Sequence, residues 1–213
     1  MENRTITAPV ITFDRLRMLS DGDGITTLVV FHGCPLRCRF CLNPFSFAPG
    51  TRRSQMTPRE LYEKVRIDEL YFLTTGGGVT FGGGEPLLQS AFLQQFRALC
   101  GPDWHLCAET SLNVPRQQVK TAASCMDHFY VDCKDLNPEI YRAYTGMDNE
   151  RMLSNLSYLL SQVGPERITL RVPLIPGYNT PVDREKTVAQ LKEMGVTQFD
   201  LFTYRTAKKG ESL

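Results

Sequence analysis

Three cysteines lie within one stretch of eight residues, as Cys34, Cys38 and Cys41, in the spacing C-x3-C-x2-C. Thiolates are the soft ligands that iron–sulfur clusters prefer, and three of them can bind three irons of a [4Fe–4S] cluster. The fourth iron would then be open to a substrate. A zinc site is the alternative, with His32 as a candidate fourth ligand, but zinc usually takes four ligands in CxxC-type pairs. The spacing therefore favours the cluster over zinc.

The other four cysteines are scattered along the chain in apolar surroundings, which is typical of small buried side chains. The total of seven is odd, whereas a disulfide framework uses an even number, usually in a smaller secreted chain. We therefore predict structural roles for Cys100, Cys107, Cys125 and Cys133.

A second motif with chemical potential is the segment FGGGEP at residues 81–86. Glycines allow the backbone to approach a ligand closely. The carboxylate of Glu85 can accept hydrogen bonds from an ammonium group. A glycine run by itself usually marks a turn, so its position relative to the cysteines decides its meaning.

The segments that must position these motifs alternate between strand-like and helix-like patterns. Short apolar runs, typical of buried parallel strands, are separated by stretches with helical periodicity. The cysteines follow the first run and the glycine motif follows the second, at strand ends where open α/β folds bind ligands. We predict a parallel α/β sheet, which right-handed crossovers would curl into an open barrel as readily as leave flat. The predicted strands are residues 27–32, 79–81, 104–109, 128–133, 168–175 and 199–202, and the predicted helices are residues 57–72, 88–100, 116–123, 138–160 with a break near Gly146, and 183–194.

Composition excludes several classes of protein. The 213 residues, 42% hydrophobic, suit one globular domain spanning 1–213. Lys and Arg number 24 against 23 Asp and Glu, which argues against a protein built to bind nucleic acid or an anionic membrane. No apolar run reaches the roughly 18 residues of a membrane span, and the N-terminus has no secretory pattern. We expect a cytoplasmic protein.

Together, the two motifs resemble the radical S-adenosylmethionine superfamily. The cysteine loop follows the first strand and has an aromatic residue, Phe40, before its third cysteine, and the glycine segment looks like the family's GGE motif. The resemblance implies one [4Fe–4S] cluster on the three cysteines and S-adenosylmethionine bound at the open iron. Reductive cleavage of the C5′–S bond would give a 5′-deoxyadenosyl radical. It also implies a partial, open parallel β/α barrel of about six βα units, and the end at Leu213 predicts that the usual final helix is lacking.

Within the superfamily the chain is most similar to glycyl-radical-enzyme activases of the pyruvate formate-lyase activating type. GGGVTFGGGEPLLQ at residues 76–89 resembles their GGGVT-SGGE-LLQ stretch, and DGDGI at 21–25 resembles DGPGI. NP at 43–44 follows the third cysteine as in CHNP. DCK at 132–134 matches DLK, and IPG at 175–177 matches VPG. The resemblance covers most of the chain.

The matched positions imply roles in cofactor binding. Asn43 would approach the adenosyl group, Lys134 would lie near the methionine carboxylate, and Arg171 near the ribose or carboxylate. In the structural alternative, Asp132 and Lys134 are an ordinary pair at a strand end and Arg171 caps the barrel. The implied set is Phe40, Asn43, Gly83, Gly84, Glu85, Thr110, Asp132, Lys134, Arg171, Ile175 and Gly177, beside the ligands Cys34, Cys38 and Cys41.

Five positions depart from the activase pattern. Asp23 replaces a proline, Thr26 an arginine, Leu42 a histidine and Glu109 an aspartate, while Arg205 stands where a histidine is usual. The barrel mouth, where a protein substrate would enter, is therefore the least family-like part.

The leading functional hypothesis is a radical S-adenosylmethionine oxidoreductase that abstracts hydrogen from a glycine of a partner glycyl-radical enzyme. The alternative enzyme acts on a peptide or small molecule. A zinc-stabilised interaction module is the non-enzymatic reading, but it leaves Glu85 and its glycines unexplained. The first hypothesis implies an external electron donor, a flavodoxin or ferredoxin, and no nucleic-acid or membrane partner.

Overall fold

A computed structural model of the chain describes residues 5–18 and 21–204. Its strands are β1 Ala8–Met18, β2 Ile25–Phe31, β3 Ser54–Met56, β4 Gly78–Gly83, β5 His105–Thr110, β6 His128–Asp132, β7 Ile168–Leu174 and β8 Gln198–Thr203. They form one sheet in the order β3-β1-β2-β4-β5-β6-β7-β8, and β2 and β4 to β8 run parallel. All six predicted strands are present within this parallel part.

The sheet is a partial barrel that does not close. Its described edge strands, β3 and β8, are not paired with each other. The parallel strands are joined by helical crossovers, as the alternation in the sequence predicts. The structure thus confirms the open β/α barrel, and the segment after Tyr204 lies outside the described residues.

Two strands were absent from the sequence-based prediction. β1 pairs antiparallel with β2 over Val10 to Met18, and β3 pairs antiparallel with Ala8 to Val10 of β1. The second half of β1, FDRLRM, mixes apolar and charged residues and is largely exposed. Because β1 covers an edge and is not buried on both faces, it lacks the continuous apolar run by which the parallel strands were found.

The helices lie between successive strands, close to their predicted positions. The predicted helix at 57–72 is instead two helices separated by a 3-10 turn at residues 66–68. Asp68 is buried at this break, where it accepts hydrogen bonds of 2.7 and 2.6 Å from Arg15 of β1. This long-range contact is invisible to helical periodicity. The helices are α1 Pro58–Val65, α2 Glu69–Thr75, α3 Ser90–Cys100, α4 Arg116–Ala123, α5 Pro138–Thr145, α6 Glu150–Val163 and α7 Pro181–Glu193.

The two faces of the sheet differ in polarity. Successive side chains of a strand point to opposite faces. On β6, Phe129 and Val131 join the hydrophobic core under the helices, whereas Asp132 lines an inner cavity. On β7, Leu170 belongs to the core and Arg171 lines the same cavity. The helices therefore pack on the apolar face, and the polar face is left for a ligand.

Candidate active site

The cysteine loop runs from the end of β2 and is tied down on both sides. The Gly33 amide donates to the Ser46 carbonyl at 2.6 Å. The amides of Arg37 and Arg39 donate to the Thr145 and Tyr144 carbonyls at the end of α5, at 2.8 and 3.1 Å. These bonds fix the loop across the carboxyl end of the barrel.

All three motif cysteines line one cavity of about 530 Å³ and are partly accessible. Burial raises the pKa of the Cys34 thiol to about 12 and that of Cys38 to about 11, so their thiolates need a bound cation. Among the described residues, no three His, Cys, Asp or Glu side chains are arranged around a single metal ion. A cluster binds each thiolate through a separate iron, so its ligands need not converge on one point. The donor set and the room beside it fit an iron–sulfur cluster.

The glycine motif lies directly against the cysteine loop. The Gly84 amide donates to the Phe31 carbonyl at 3.0 Å, and the Glu85 amide to the Gly33 carbonyl at 2.7 Å. A Cβ on Gly84 would lie 2.1 Å from the Gly33 carbonyl oxygen, so only glycine permits this approach. Gly83 and Gly84 line the cavity.

The carboxylate of Glu85 is buried and fully hydrogen-bonded by the protein. One oxygen accepts from the Leu87 amide at 3.1 Å and the Thr110 hydroxyl at 2.7 Å. The other accepts from the Ser111 amide at 2.8 Å and the Ser111 hydroxyl at 2.6 Å. Burial raises the pKa of Glu85, and these donors act in the opposite direction. The side chain thereby locks the glycine motif of β4 to the end of β5.

Lys134, just after β6, presents a buried ammonium group to the cavity. Its Nζ donates to Asp132 at 2.9 Å and to the hydroxyl of Tyr204 at 3.0 Å. Burial by itself would lower the pKa of Lys134, but Asp132 and Tyr204 hold it well above its usual value. The backbone φ of +63° is costly for a residue with a side chain, and such strain clusters at functional sites.

Arg171, midway along β7, forms an ion pair inside the barrel. Its Nη1 donates to Glu109 of β5 at 2.7 Å, and its guanidinium lies 4.8 Å from the ring centroid of Tyr130. Asp200 of β8 lies 3.6 Å from its Nε. Burial raises the pKa of Glu109, and Arg171 opposes that rise. In the described structure, Arg171 thus links β5, β7 and β8 across the polar face.

Most of the sequence-predicted site residues meet at this cavity. Three do not line it: Phe40 and Ile175 pack in an aromatic cluster that includes Cys38 and Tyr204, and Gly177 lies in the turn after β7. The cavity-lining members are Cys34, Cys38, Cys41, Asn43, Gly83, Gly84, Glu85, Thr110, Asp132, Lys134 and Arg171.

Sequence reasoning missed several groups at the same site. Ser111 supplies two of the four bonds to Glu85, and Tyr204 supplies one contact to Lys134. Arg17 and Asp21 form an ion pair at the cavity wall. The nearest sequence signal for Ser111 was its place directly after Thr110, a member of the implied set. The nearest signal for Tyr204 was its place beside Arg205, which is outside the described residues.

Comparison with known proteins identifies the family. The model of the radical SAM superfamily matches residues 28–191, which include the cysteine loop, the glycine motif, Lys134 and Arg171. The chain belongs to the radical SAM superfamily. Within it, the relatives are activating enzymes, and the chain is a radical SAM enzyme of the glycyl-radical activase type.

Two relatives show the extent of this similarity. The (2S)-3-sulfopropanediol dehydratase activating enzyme of Klebsiella oxytoca is 30% identical, over 88% of this chain and 78% of the relative. The pyruvate formate-lyase-activating enzyme of Listeria monocytogenes is 32% identical, over 87% of this chain and 77% of the relative. The resemblance drawn from the motifs is therefore confirmed.

The fold of this radical SAM enzyme is also found among solved structures. SuiB of Streptococcus suis, in its structure with bound S-adenosylmethionine, superposes with a TM-score of 0.63 at 16% identity. The match covers 82% of this chain but only 39% of SuiB, so this chain spans well under two thirds of that protein. Among the described residues, no helix is long and apolar enough to cross a membrane.

Proposed function

We propose that Cys34, Cys38 and Cys41 hold a [4Fe–4S] cluster and that the enzyme cleaves S-adenosylmethionine there to activate a glycyl-radical enzyme. When bound, the cluster supplies the electron that breaks the C5′–S bond of S-adenosylmethionine and yields the 5′-deoxyadenosyl radical. The observation that carries the proposal is the convergence of three thiols, a glycine-lined backbone and a buried ammonium on one cavity.

The glycine motif would bind the methionine amino group. A carboxylate has about four acceptor sites, and protein donors already take four hydrogen-bond positions on Glu85. We therefore assign the direct contacts with the ammonium to backbone carbonyls of Gly83 and its neighbours. Glu85 holds that backbone in place, and its negative charge favours the ammonium.

Lys134 would bind the methionine carboxylate. An ammonium has three donors, of which Asp132 and Tyr204 take two, so one remains for a carboxylate oxygen. Arg171 places a second positive charge on the same cavity, and Glu109 neutralises that charge in part. These cations, beside the glycine backbone, match the two charged ends of an amino acid.

The adenosyl end of the cofactor would lie farther along the barrel. Asn43 lines the cavity, and its Nδ2 donates to the Gly83 carbonyl at 3.4 Å, so it lies beside the glycine backbone. Phe40 and Ile175 stiffen the adjoining wall through their aromatic cluster. Thr110, Asp132 and Gly177 complete the set that we assign to S-adenosylmethionine.

Replacing Tyr204 by Phe should weaken S-adenosylmethionine binding without loss of the cluster. The change removes a hydrogen bond that orients the Lys134 ammonium in the cavity, worth about 0.5–1.5 kcal/mol, so we expect a Kd about two- to tenfold higher in anaerobic titration. Tyr178→Phe is the matched control, because Tyr178 lies in the same aromatic cluster and takes no part in the Lys134 contacts. Equal affinities in the two variants would argue against the Lys134 assignment.

A glycine of a partner enzyme is the proposed target of the radical. The relatives that support it are named for activating sulfopropanediol dehydratase and pyruvate formate-lyase. The described strands do not close the barrel, so we expect a peptide loop to reach the polar face. We further propose that a flavodoxin or ferredoxin supplies the electron.

The test is electron paramagnetic resonance of the reduced, cluster-loaded enzyme with S-adenosylmethionine and a glycyl-radical enzyme from the same genome. We expect a doublet from one α-hydrogen, which collapses when glycine is deuterated at that carbon. Formation of 5′-deoxyadenosine that is stimulated by a free peptide or metabolite, and by no glycyl-radical enzyme, would contradict the proposed target.

A further inference from the structure

Positive charge is concentrated on the segment that contains the cysteine loop. From Gly24 to Arg59 the sequence contains five arginines and no Asp, Glu or Lys. The rest of the chain carries 19 basic against 23 acidic residues. A protein with almost no net charge thus places a strongly basic segment beside the three cysteines.

Four of these arginines are solvent-exposed in the segment of residues 32–53 that joins β2 to β3, which we call the excursion. Among the described residues, none of the four forms an ion pair with a carboxylate. Arg37 and Arg53 instead donate to backbone carbonyls of the excursion itself. Their positive charge is therefore available to a partner. We call Arg37, Arg39, Arg52 and Arg53 the basic rim.

The basic rim adjoins the cavity of the active site. Arg37 and Arg39 alternate with the cysteine ligands, and the Arg37 guanidinium lies 4.7 Å from the ring centroid of Phe47, which connects the two halves of the excursion. Leu42 lines the cavity and is 76% exposed, and Phe45 is 41% exposed. Exposed apolar side chains within a charged border are typical of a protein interface.

We propose that the basic rim, with Leu42 and Phe45 between its two arginine pairs along the chain, is the docking surface for an acidic electron-carrier protein. This inference rests on the proposed function, which requires one electron per cleavage from outside the described site. Electron transfer weakens steeply with distance, so the carrier must approach the outer side of the cysteine loop. A low-potential flavin or iron–sulfur protein with an acidic surface fits this charge and this position.

The electron balance is simple. The reduced carrier loses one electron and is oxidised, and that electron is consumed when the C5′–S bond breaks to give methionine and the 5′-deoxyadenosyl radical. The rim arginines transfer no proton. They raise the rate of productive encounter and orient the carrier, an effect that falls as ionic strength rises.

The test compares two ways of reducing the cluster-loaded enzyme. Arg39→Glu/Arg52→Glu reverses two rim charges, and Arg151→Glu/Lys186→Glu makes the same change on exposed positions of α6 and α7. For each, 5′-deoxyadenosine formation is measured with reduced flavodoxin or ferredoxin, and with dithionite. We expect kcat/KM for the protein donor to fall about tenfold or more in the rim variant only, with dithionite-driven cleavage and iron content unchanged.

Every other outcome separates this inference from the proposed function. Unchanged donor kinetics, or an equal loss with dithionite, would overturn the docking surface while leaving the cofactor assignment intact. If the rim variant kept normal donor kinetics but no longer formed the glycyl radical on the partner, the basic rim would be the docking surface for the glycyl-radical enzyme instead, and the inference would be overturned. Absence of dithionite-driven cleavage in the unaltered enzyme would refute the proposed function itself.

In the unaltered protein, donor-driven turnover should also fall with added salt while dithionite-driven turnover stays level. Equal salt sensitivity of the two would overturn the inference even if the rim variant failed to fold.

Discussion

Replacing Cys34 by alanine should remove nearly all iron and sulfide from the anaerobically reconstituted protein. Cys34 is one of three thiols at the cavity, and the proposed cluster has no fourth cysteine that can take its place. With two thiolates the cluster would be labile, so 5′-deoxyadenosine formation should fall to background. The measurement is iron and sulfide content together with the absorbance of the cluster, and Cys38→Ala and Cys41→Ala should behave alike.

Cys100→Ala is the matched control for these variants. Cys100 lies at the end of α3, away from the cavity, where it packs against the hydrophobic core and its thiol donates to the carbonyls of Arg97 and Gly101. Iron content and activity should therefore stay at the level of the unaltered enzyme. Full iron, sulfide and activity in Cys34→Ala would exclude the three-cysteine cluster, and stoichiometric zinc in its place would support the interaction-module alternative.

Replacing Glu85 by alanine should have two separable effects. It leaves donors of Leu87, Thr110 and Ser111 buried without their acceptor, which we expect to lower the free energy of unfolding by about 2–4 kcal/mol. It also frees the glycine backbone and removes a negative charge near the ammonium, so S-adenosylmethionine should bind about one to two orders of magnitude more weakly. Chemical denaturation of the cluster-free protein measures the first effect and anaerobic titration measures the second.

Two further variants isolate the cause. Glu60→Ala removes an exposed carboxylate from the capping box of α1 and should cost only about 1 kcal/mol, with no change in cofactor affinity. Glu85→Gln keeps the shape of the side chain but turns one acceptor into a donor that faces other donors. Glu85→Gln should therefore destabilise the protein less than Glu85→Ala does, but it should still weaken S-adenosylmethionine binding. Unchanged affinity in both Glu85 variants would contradict the assignment of the glycine motif to the cofactor site.

Local patterns predicted most of the fold because they reflect periodicity along the chain. The apolar runs that became β2 and β4 to β8 are buried on a helix-covered sheet, so their composition is nearly independent of which strand lies beside them. The strand β1 and the break at Asp68 were missed because local periodicity does not record them. Both depend on contacts with distant residues, since β1 is a partly exposed strand that pairs with β2 and β3, and Asp68 is held by Arg15.

The cofactor residues divide in a similar way. Spacing within one loop brought together Cys34, Cys38 and Cys41, and the glycines before Glu85 indicated a close backbone approach, because short segments control their own geometry. Which distant residues the site residues contact depends instead on strand register and on the handedness of the crossovers. Lys134 meets Tyr204 across 70 positions of sequence, and Arg171 meets Glu109 across 62.

The sequence by itself therefore indicated the family, the three cysteines proposed as cluster ligands and the positions of the six parallel strands. The tertiary structure decided how the charges are paired: Glu85, which was expected to accept hydrogen bonds from an ammonium group, accepts four from Leu87, Thr110 and Ser111, and Arg171 is held by Glu109. It also decided that the arginines around the cysteines face solvent and, within residues 5–18 and 21–204, have no carboxylate partner. The physical reason is that a motif records which groups are present, whereas the free energy of a buried charge depends on the neighbours that folding brings to it.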